Sequence, residues 1–255
     1  MLAVIIPVFN EAKTLPQVLC DVSRALPGVP KQVIIVDDAS LDGTAEWLRS
    51  NLADDTAKGF ALSLTEDGRL VVEDGPAEVA VRVVHQPRNS GKGAAVRTGL
   101  EHATAQVFVI QDADQEYDPA DWAPMYDLIA HRKVADVVYG SRFSGATGRS
   151  LRFHHYFANR LISRLFSLLY DQNLRDVETC YKMFTRSVKD SLILTADDFG
   201  IEIQISAQIA LARRWRIYET AINYYGRTHA DGKKIGWRDG VKALWFLFRF
   251  RLRPI

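Results

Sequence analysis

The sequence predicts an α/β fold: a mostly parallel, doubly wound sheet followed by C-terminal amphipathic helices. Three observations lead there. Short apolar runs without alternation fall at residues 2–7, 32–36, 79–85, 107–111 and 135–139, the pattern of strands buried on both faces. Helical patterns at 13–26, 44–52, 93–104 and 119–131 separate them, and alternation of strand and helix builds a parallel sheet. Polar residues cluster directly after the strands, where an open parallel sheet binds its ligands.

The elements follow in order. The first strand runs into Pro7-Val8-Phe9-Asn10-Glu11, and the second into Asp37-Asp38-Ala39-Ser40 with Asp42-Gly43-Thr44 opening the next helix. There one acid caps the helix while another is available to a base or ribose. Residues 60–74 read as a surface hairpin around Asp67-Gly68, with no assigned chemistry. The third strand leads to Asn89-Ser90-Gly91-Lys92-Gly93, which would offer backbone N–H groups at a helix N-terminus. It is not a Walker A loop, because the leading glycine and four-residue spacer are absent. The fourth strand ends in Asp112-Ala113-Asp114 with Glu116 beyond, and the fifth in Gly140-Ser141-Arg142. With no repeat or linker, the chain reads as one domain over 1–255, with a strand-and-helix half at 1–145 and a half of long amphipathic helices and loops at 146–255.

Composition excludes several classes of function. A net charge of +1 gives no global field for nucleic acid, so basic functions must come from local clusters. Cys20 and Cys180 provide neither ligand spacing nor a disulfide framework, which suits a reducing cytoplasm. The start MLAVIIPVFNE lacks a basic n-region and a cleavage site, so no signal peptide is expected. The six histidines show no ligand spacing and read as surface or satisfied core residues.

Asp112-Ala113-Asp114 is the most informative cluster. Carboxylates at the end of a buried strand are costly unless cations or donors compensate them. Hard oxygen ligands favour Mg2+ or Mn2+, which take one or two carboxylates together with substrate phosphate oxygens. The competing reading is a cap for the helix near Pro119, a task better suited to Asp118. The other strand-end motifs favour a nucleotide site.

Taken in order, Ile5-Ile6-Pro7-Val8-Phe9-Asn10-Glu11, Asp37-Asp38-Ala39-Ser40 with Asp42-Gly43-Thr44, Asn89 with Gly91-Lys92-Gly93, and Asp112-Ala113-Asp114 resemble the family 2 glycosyltransferases. That resemblance implies a single GT-A-like domain, a divalent metal and inversion at the sugar's anomeric carbon. It implies a donor site of Pro7, Phe9, Glu11, Asp38, Lys92, Asp112, Ala113, Arg227 and Lys234, with a metal on Asp112, Asp114 and Glu116. Tyr139-Gly140-Ser141-Arg142-Phe143, Asp176–Phe184 and Tyr225-Gly226-Arg227-Thr228 resemble its polyprenyl-phosphate branch, which includes the dolichyl-phosphate mannose and glucose synthases. By that likeness Ser141, Arg142 and Arg152 meet the acceptor phosphate, and Asp114 and Arg142 carry the catalytic roles; Lys182 is a further cation available to that phosphate. Thr179-Cys180-Tyr181-Lys182 and Tyr156 depart from the branch's usual residues.

The implied donor is a GDP- or UDP-hexose and the implied acceptor a polyprenyl phosphate. A phosphate dianion needs no base to remove a proton, only cations beside the anomeric carbon. A sugar hydroxyl would instead need a carboxylate, for which Asp176, Asp198 and Glu202 are candidates; Glu202 reads equally as a first-turn acid. A non-catalytic nucleotide-sugar-binding protein is the alternative of another class. Aromatic and basic residues at 151–170 and 241–252 suit either a membrane interface or helices packed on the sheet. The expected location is cytoplasmic, free or peripheral on a membrane's cytoplasmic face.

Overall fold

The computed structural model describes residues 1–52, 57–59, 61–65, 70–73, 78–144, 153–227 and 237–253. The element order begins β1 (Leu2–Val8), α1 (Leu15–Arg24), β2 (Lys31–Asp37), α2 (Thr44–Asn51), β3 (Ala57–Gly59), β4 (Ala61–Leu64), β5 (Leu70–Glu73), β6 (Val79–His85), α3 (Lys92–His102) and β7 (Val107–Ile110). It continues with α4 (Trp122–Tyr126), β8 (Val137–Ser141), α5 (Phe153–Tyr170), β9 (Lys182–Thr185), α6 (Arg186–Ser191), α7 (Gly200–Leu211), β10 (Ile217–Ala221) and α8 (Trp237–Leu252).

One sheet has the strand order β10-β8-β9-β7-β1-β2-β6-β3. All five strands expected from apolar runs are present, as β1, β2, β6, β7 and β8. β1 is the hub, parallel to β2 on one side and to β7 on the other, so the winding direction reverses there. A crevice at the carboxyl ends of β1 and β7 is the position such a reversal creates for a ligand. Leu2, Ala3, Val4, Ile5 and Ile6 are fully buried, because helices cover both faces of this central strand.

Three strands were missing from the sequence reading. β9 enters antiparallel between β7 and β8, β10 extends the sheet parallel to β8, and β3 pairs antiparallel with β6. β4 and β5 form the expected antiparallel hairpin pair; its turn at 66–69 lies outside the described residues. The expected helix at 119–131 is broken into a 3-10 turn, α4 and a π turn over Asp127–His131. Asp118 does cap its start, accepting from the Ala120 N–H at 2.9 Å.

The loops at the carboxyl edge are held tightly. Asn10, Ala39 and Gln115, which follow β1, β2 and β7, all adopt positive φ of 55–60°. Such conformations cost about 1 kcal/mol or more for non-glycine residues and persist where surroundings enforce them. At Gly93 a Cβ would lie 2.2 Å from the Ala196 carbonyl oxygen, so only glycine lets the chain before α7 approach α3.

Candidate active site

The loops after β1 and β7, the start of α3 and the chain beyond β10 deliver charges to one crevice. From β7, the buried Gln111 bonds the Asp112 carbonyl at 3.0 Å and receives the Tyr181 hydroxyl at 2.7 Å. This braces the backbone where Asp112 and Asp114 leave the strand. From α3, Lys92 Nζ lies 2.7 Å from Asp112 Oδ1 and 3.0 Å from Glu202 Oε1 of α7. Arg227, beyond β10, reaches Glu11 at 3.1 Å and Asp114 Oδ2 at 3.2 Å. Glu11, Lys92, Asp112, Asp114 and Arg227, drawn from distant parts of the chain, therefore converge.

Asp114 is surrounded by negative charge. Burial, with Asp112 and Glu116 nearby, pushes its carboxyl up to about 7, and Arg227 only partly offsets this. Such a concentration of carboxylate is what a divalent cation relieves. Among the described residues no three His, Cys, Asp or Glu side chains form a ready cage. Asp112 and Asp114 still suit Mg2+ or Mn2+, which commonly combine one or two carboxylates with phosphate oxygens and water.

Several assignments change. Glu116 spends both oxygens on the returning chain, accepting from the Tyr224 hydroxyl at 2.5 Å and the Arg227 N–H at 2.6 Å. It is thus a clamp for Arg227 in this structure, not a third arm of a cage. Asp38 binds the Ser90 and Gly91 N–H groups at 2.7 and 2.8 Å, and Gly93 N–H goes to the Asp197 carbonyl. The start of α3 is consequently no open anion cradle, and Asp38 shapes the 89–91 loop. The N-cap position of α2 is Gly43, and Asp42 before it accepts from the Thr44 N–H at 3.1 Å.

The acceptor side changes further. Lys182 is fully buried, with Nζ 2.6 Å from Glu202 Oε2 and against the Thr179 carbonyl, so it neutralises Glu202 instead of facing a phosphate. Ser141 is also fully buried, its hydroxyl accepting from Ser144 at 3.0 Å. Arg142 lies 2.7 Å from both oxygens of buried Asp176 and packs over Tyr224 and Phe143. Pro7 and Phe9 are half-buried at the end of β1, while Ala113 is buried. Arg152 and Lys234 lie outside the described residues.

The sequence reading missed Glu178. It is half-buried. Burial and the charges of Asp176 and Glu202 push that carboxyl up to about 7, against Arg142 and Lys182. A folded value above the unfolded one means native stability is lost as pH rises from 4.5 through 7. Glu178→Gln should therefore raise the melting temperature at pH 8 and leave it little changed at pH 5. After discounting for solvent, the expected gain is about 1–2 kcal/mol, read by thermal melts at the two pH values.

The glycosyl transferase family 2 model matches residues 3–62 and 71–192, spanning every strand-end motif except Arg227. The chain belongs to glycosyl transferase family 2. This family 2 glycosyltransferase is 30% identical over 96% of its length to glycosyltransferase AglJ of Haloferax volcanii, covering 70% of that protein. It is 26% identical to an undecaprenyl-phosphate mannosyltransferase of Micrococcus luteus, with 97% of each chain aligned. Glucosyl-3-phosphoglycerate synthase from Mycobacterium tuberculosis, solved with Mn2+, UDP and phosphoglyceric acid, shares its fold. That similarity has a TM-score of 0.69 at 16% identity and covers 100% of this chain and 80% of the other.

Proposed function

We propose that this glycosyltransferase moves a hexose from a GDP- or UDP-linked donor to a polyprenyl (dolichyl-type) phosphate, inverting the anomeric carbon. The observation that carries the acceptor assignment is the pairing of the two buried carboxylates considered as bases, Asp176 and Glu202, with cations. Asp176 is fully buried with both oxygens on Arg142, and Glu202 holds Lys92 and Lys182. Asp198 Oδ1 accepts from Gly200 N–H at the start of α7. Asp176 and Glu202 are thus committed to buried cations and Asp198 to the start of α7, whereas a phosphate oxygen requires no deprotonation.

In the proposed step a phosphate oxygen of the acceptor bonds to the anomeric carbon. The bond from that carbon to the nucleoside diphosphate breaks, and the diphosphate departs with the electron pair. A bound Mg2+ or Mn2+ would offset charge developing on that leaving group. Asp112 and Asp114 would hold the ion, and Arg227, anchored by Glu11 and Glu116, would supply cationic donors to the diphosphate. Arg142, fixed by Asp176, would meet the acceptor phosphate.

Relatives named undecaprenyl-phosphate mannosyltransferase and dodecaprenyl-phosphate galacturonate synthase support this acceptor class. The test is incubation with Mg2+ or Mn2+ and a panel of nucleotide sugars, with and without a short polyprenyl phosphate. A lipid-linked sugar-phosphate product supports the reading; transfer only to water-soluble alcohols overturns it. Glu178 favours that second reading, as a base poised near neutrality. Loss of hydroxyl transfer in Glu178→Gln would identify it.

A lipid acceptor also calls for a surface that meets the bilayer. No helix among the described residues is long and apolar enough to cross one. On α8, Val241, Trp245, Phe248 and Leu252 follow helical spacing and are all exposed, with Arg249 and Arg251 beside them. Replacing Trp245 and Phe248 together by serine should release the protein from anionic lipid vesicles in flotation assays. We expect at least a tenfold weaker partition, because two aromatic contacts of about 1.5 kcal/mol or more are removed.

A further inference from the structure

We infer that Glu202 is a positioning residue of the donor site, the counter-charge that lets Lys92 orient Asp112 without repelling the cation bound there. This rests on the metal-dependent reading above. The supporting geometry is a buried line of alternating charge. Asp112 Oδ1 meets Lys92 Nζ at 2.7 Å, Lys92 meets Glu202 Oε1 at 3.0 Å, and Glu202 Oε2 meets Lys182 Nζ at 2.6 Å. Lys182 is fully buried, and the side chains of Lys92 and Glu202 are 13% and 7% exposed.

Each member has a distinct physical task. Lys92 binds one oxygen of Asp112, which fixes the carboxylate's rotation at the end of β7. An ammonium so close to a cation-binding carboxylate has a cost: in a poorly solvated site it repels a divalent ion at the same group. Glu202 offsets that cost by placing a negative charge against the ammonium from the side of α7. The Lys92–Glu202 pair then presents little net charge to the crevice while still holding Asp112. Lys182 in turn satisfies the second oxygen of Glu202, which would otherwise be a buried, half-paired carboxylate. Its position on β9, next to the Tyr139 ring, anchors the line to the sheet.

This explains why two lysines and a glutamate are buried beside Asp112. It also separates Glu202 from any role as a proton acceptor, since both of its oxygens are held by ammonium groups. Removing only its charge should leave Lys92 as an uncompensated cation beside Asp112, and metal binding should weaken.

The experiment measures Mn2+ binding in the presence of nucleoside diphosphate by electron paramagnetic resonance, which requires neither sugar nor acceptor. Glu202→Gln alone strands Lys182 and risks misfolding, so the decisive variant is Glu202→Gln with Lys182→Met, which removes the outer pair together. Thermal melts establish that it is folded. We expect its Mn2+ dissociation constant to rise at least tenfold, about 1.4 kcal/mol. We expect Lys92→Met added to that variant to recover part of the lost affinity, because it removes the repelling ammonium although it also frees the rotation of Asp112.

Wild-type Mn2+ affinity in the folded double variant overturns the inference. So does a large fall in kcat with Mn2+ affinity unchanged, which would make Glu202 a proton acceptor. Failure of the triple variant to regain affinity also overturns it. If the wild-type protein binds no Mn2+ under any of these conditions, the metal reading itself fails and this inference falls with it.

Discussion

Asp114→Asn removes metal-dependent turnover of the donor while leaving the protein folded. The asparagine preserves volume and shape but cannot supply the anionic oxygen that a divalent ion selects. Loss of a preorganised electrostatic contact to a leaving group costs about a hundredfold to a thousandfold in kcat, and that is the expected loss. The stability effect runs the other way. The Asp114 carboxyl is pushed up to about 7 by burial and by Asp112 and Glu116, so above that pH its ionised form strains the native state. Asparagine removes this repulsion at the loss of one partner for Arg227, which keeps its bonds to Glu11. The melting temperature at pH 8 should hold or rise as turnover disappears, a separation typical of residues kept for function at the expense of stability. Donor turnover across a Mn2+ titration, paired with melts of the same preparation, decides the matter. Full metal-dependent turnover in the variant would show that the metal is held elsewhere.

Much of this arrangement was legible in the sequence, for a simple physical reason. β1, β2, β7 and β8 are buried on both faces and β6 partly so, and apolar runs announce such strands without reference to partners. Their loops carry the charges that chain geometry must bring to the carboxyl edge, so Glu11, Lys92, Asp112 and Asp114 could be located in advance. β9 and β10 left weaker signals. β9 is only Lys-Met-Phe-Thr, opened by a buried lysine, and β10 alternates on a partly exposed edge as Ile-Tyr-Glu-Thr-Ala. The same lysine misled the site assignment. A lysine near a proposed phosphate site reads as a ligand until the fold places Glu202 from α7 beside it, twenty residues away. Ser141, Asp38 and Glu116 show the same limit: each residue type suits a substrate, and each is engaged by a backbone or side chain that sequence cannot bring near. Glu178 went unnoticed because its distinguishing property, burial among Arg142, Asp176, Lys182 and Glu202, belongs entirely to tertiary packing.

Asp176→Ala should be the most destabilising of these substitutions. Asp176 is fully buried and bonds the Arg142 side chain twice at 2.7 Å and its N–H at 3.0 Å. Arg142 itself is only 11% exposed, with rings of Tyr224 and Phe143 5.3 and 5.7 Å from its guanidinium carbon. Truncating the acid strands this guanidinium away from water, and breaking a buried pair from one side costs about 3–5 kcal/mol. For a chain of this size that lowers the melting temperature by about 6–20 °C. Arg142→Met in the same background removes the stranded charge and should return a large part of the loss, so the two substitutions will be strongly non-additive. Activity should behave differently. A purely structural pair would let the stable double variant work, whereas an arginine that meets the acceptor phosphate leaves it inactive however well it folds. A melt of Asp176→Ala within 2 °C of wild type would contradict the burial argument, and an active double variant would remove Arg142 from the acceptor site. The pair thus links the stability of β8 to the chemistry at its end: Asp176 holds the cation that the acceptor needs, and only the double variant tells holding from use.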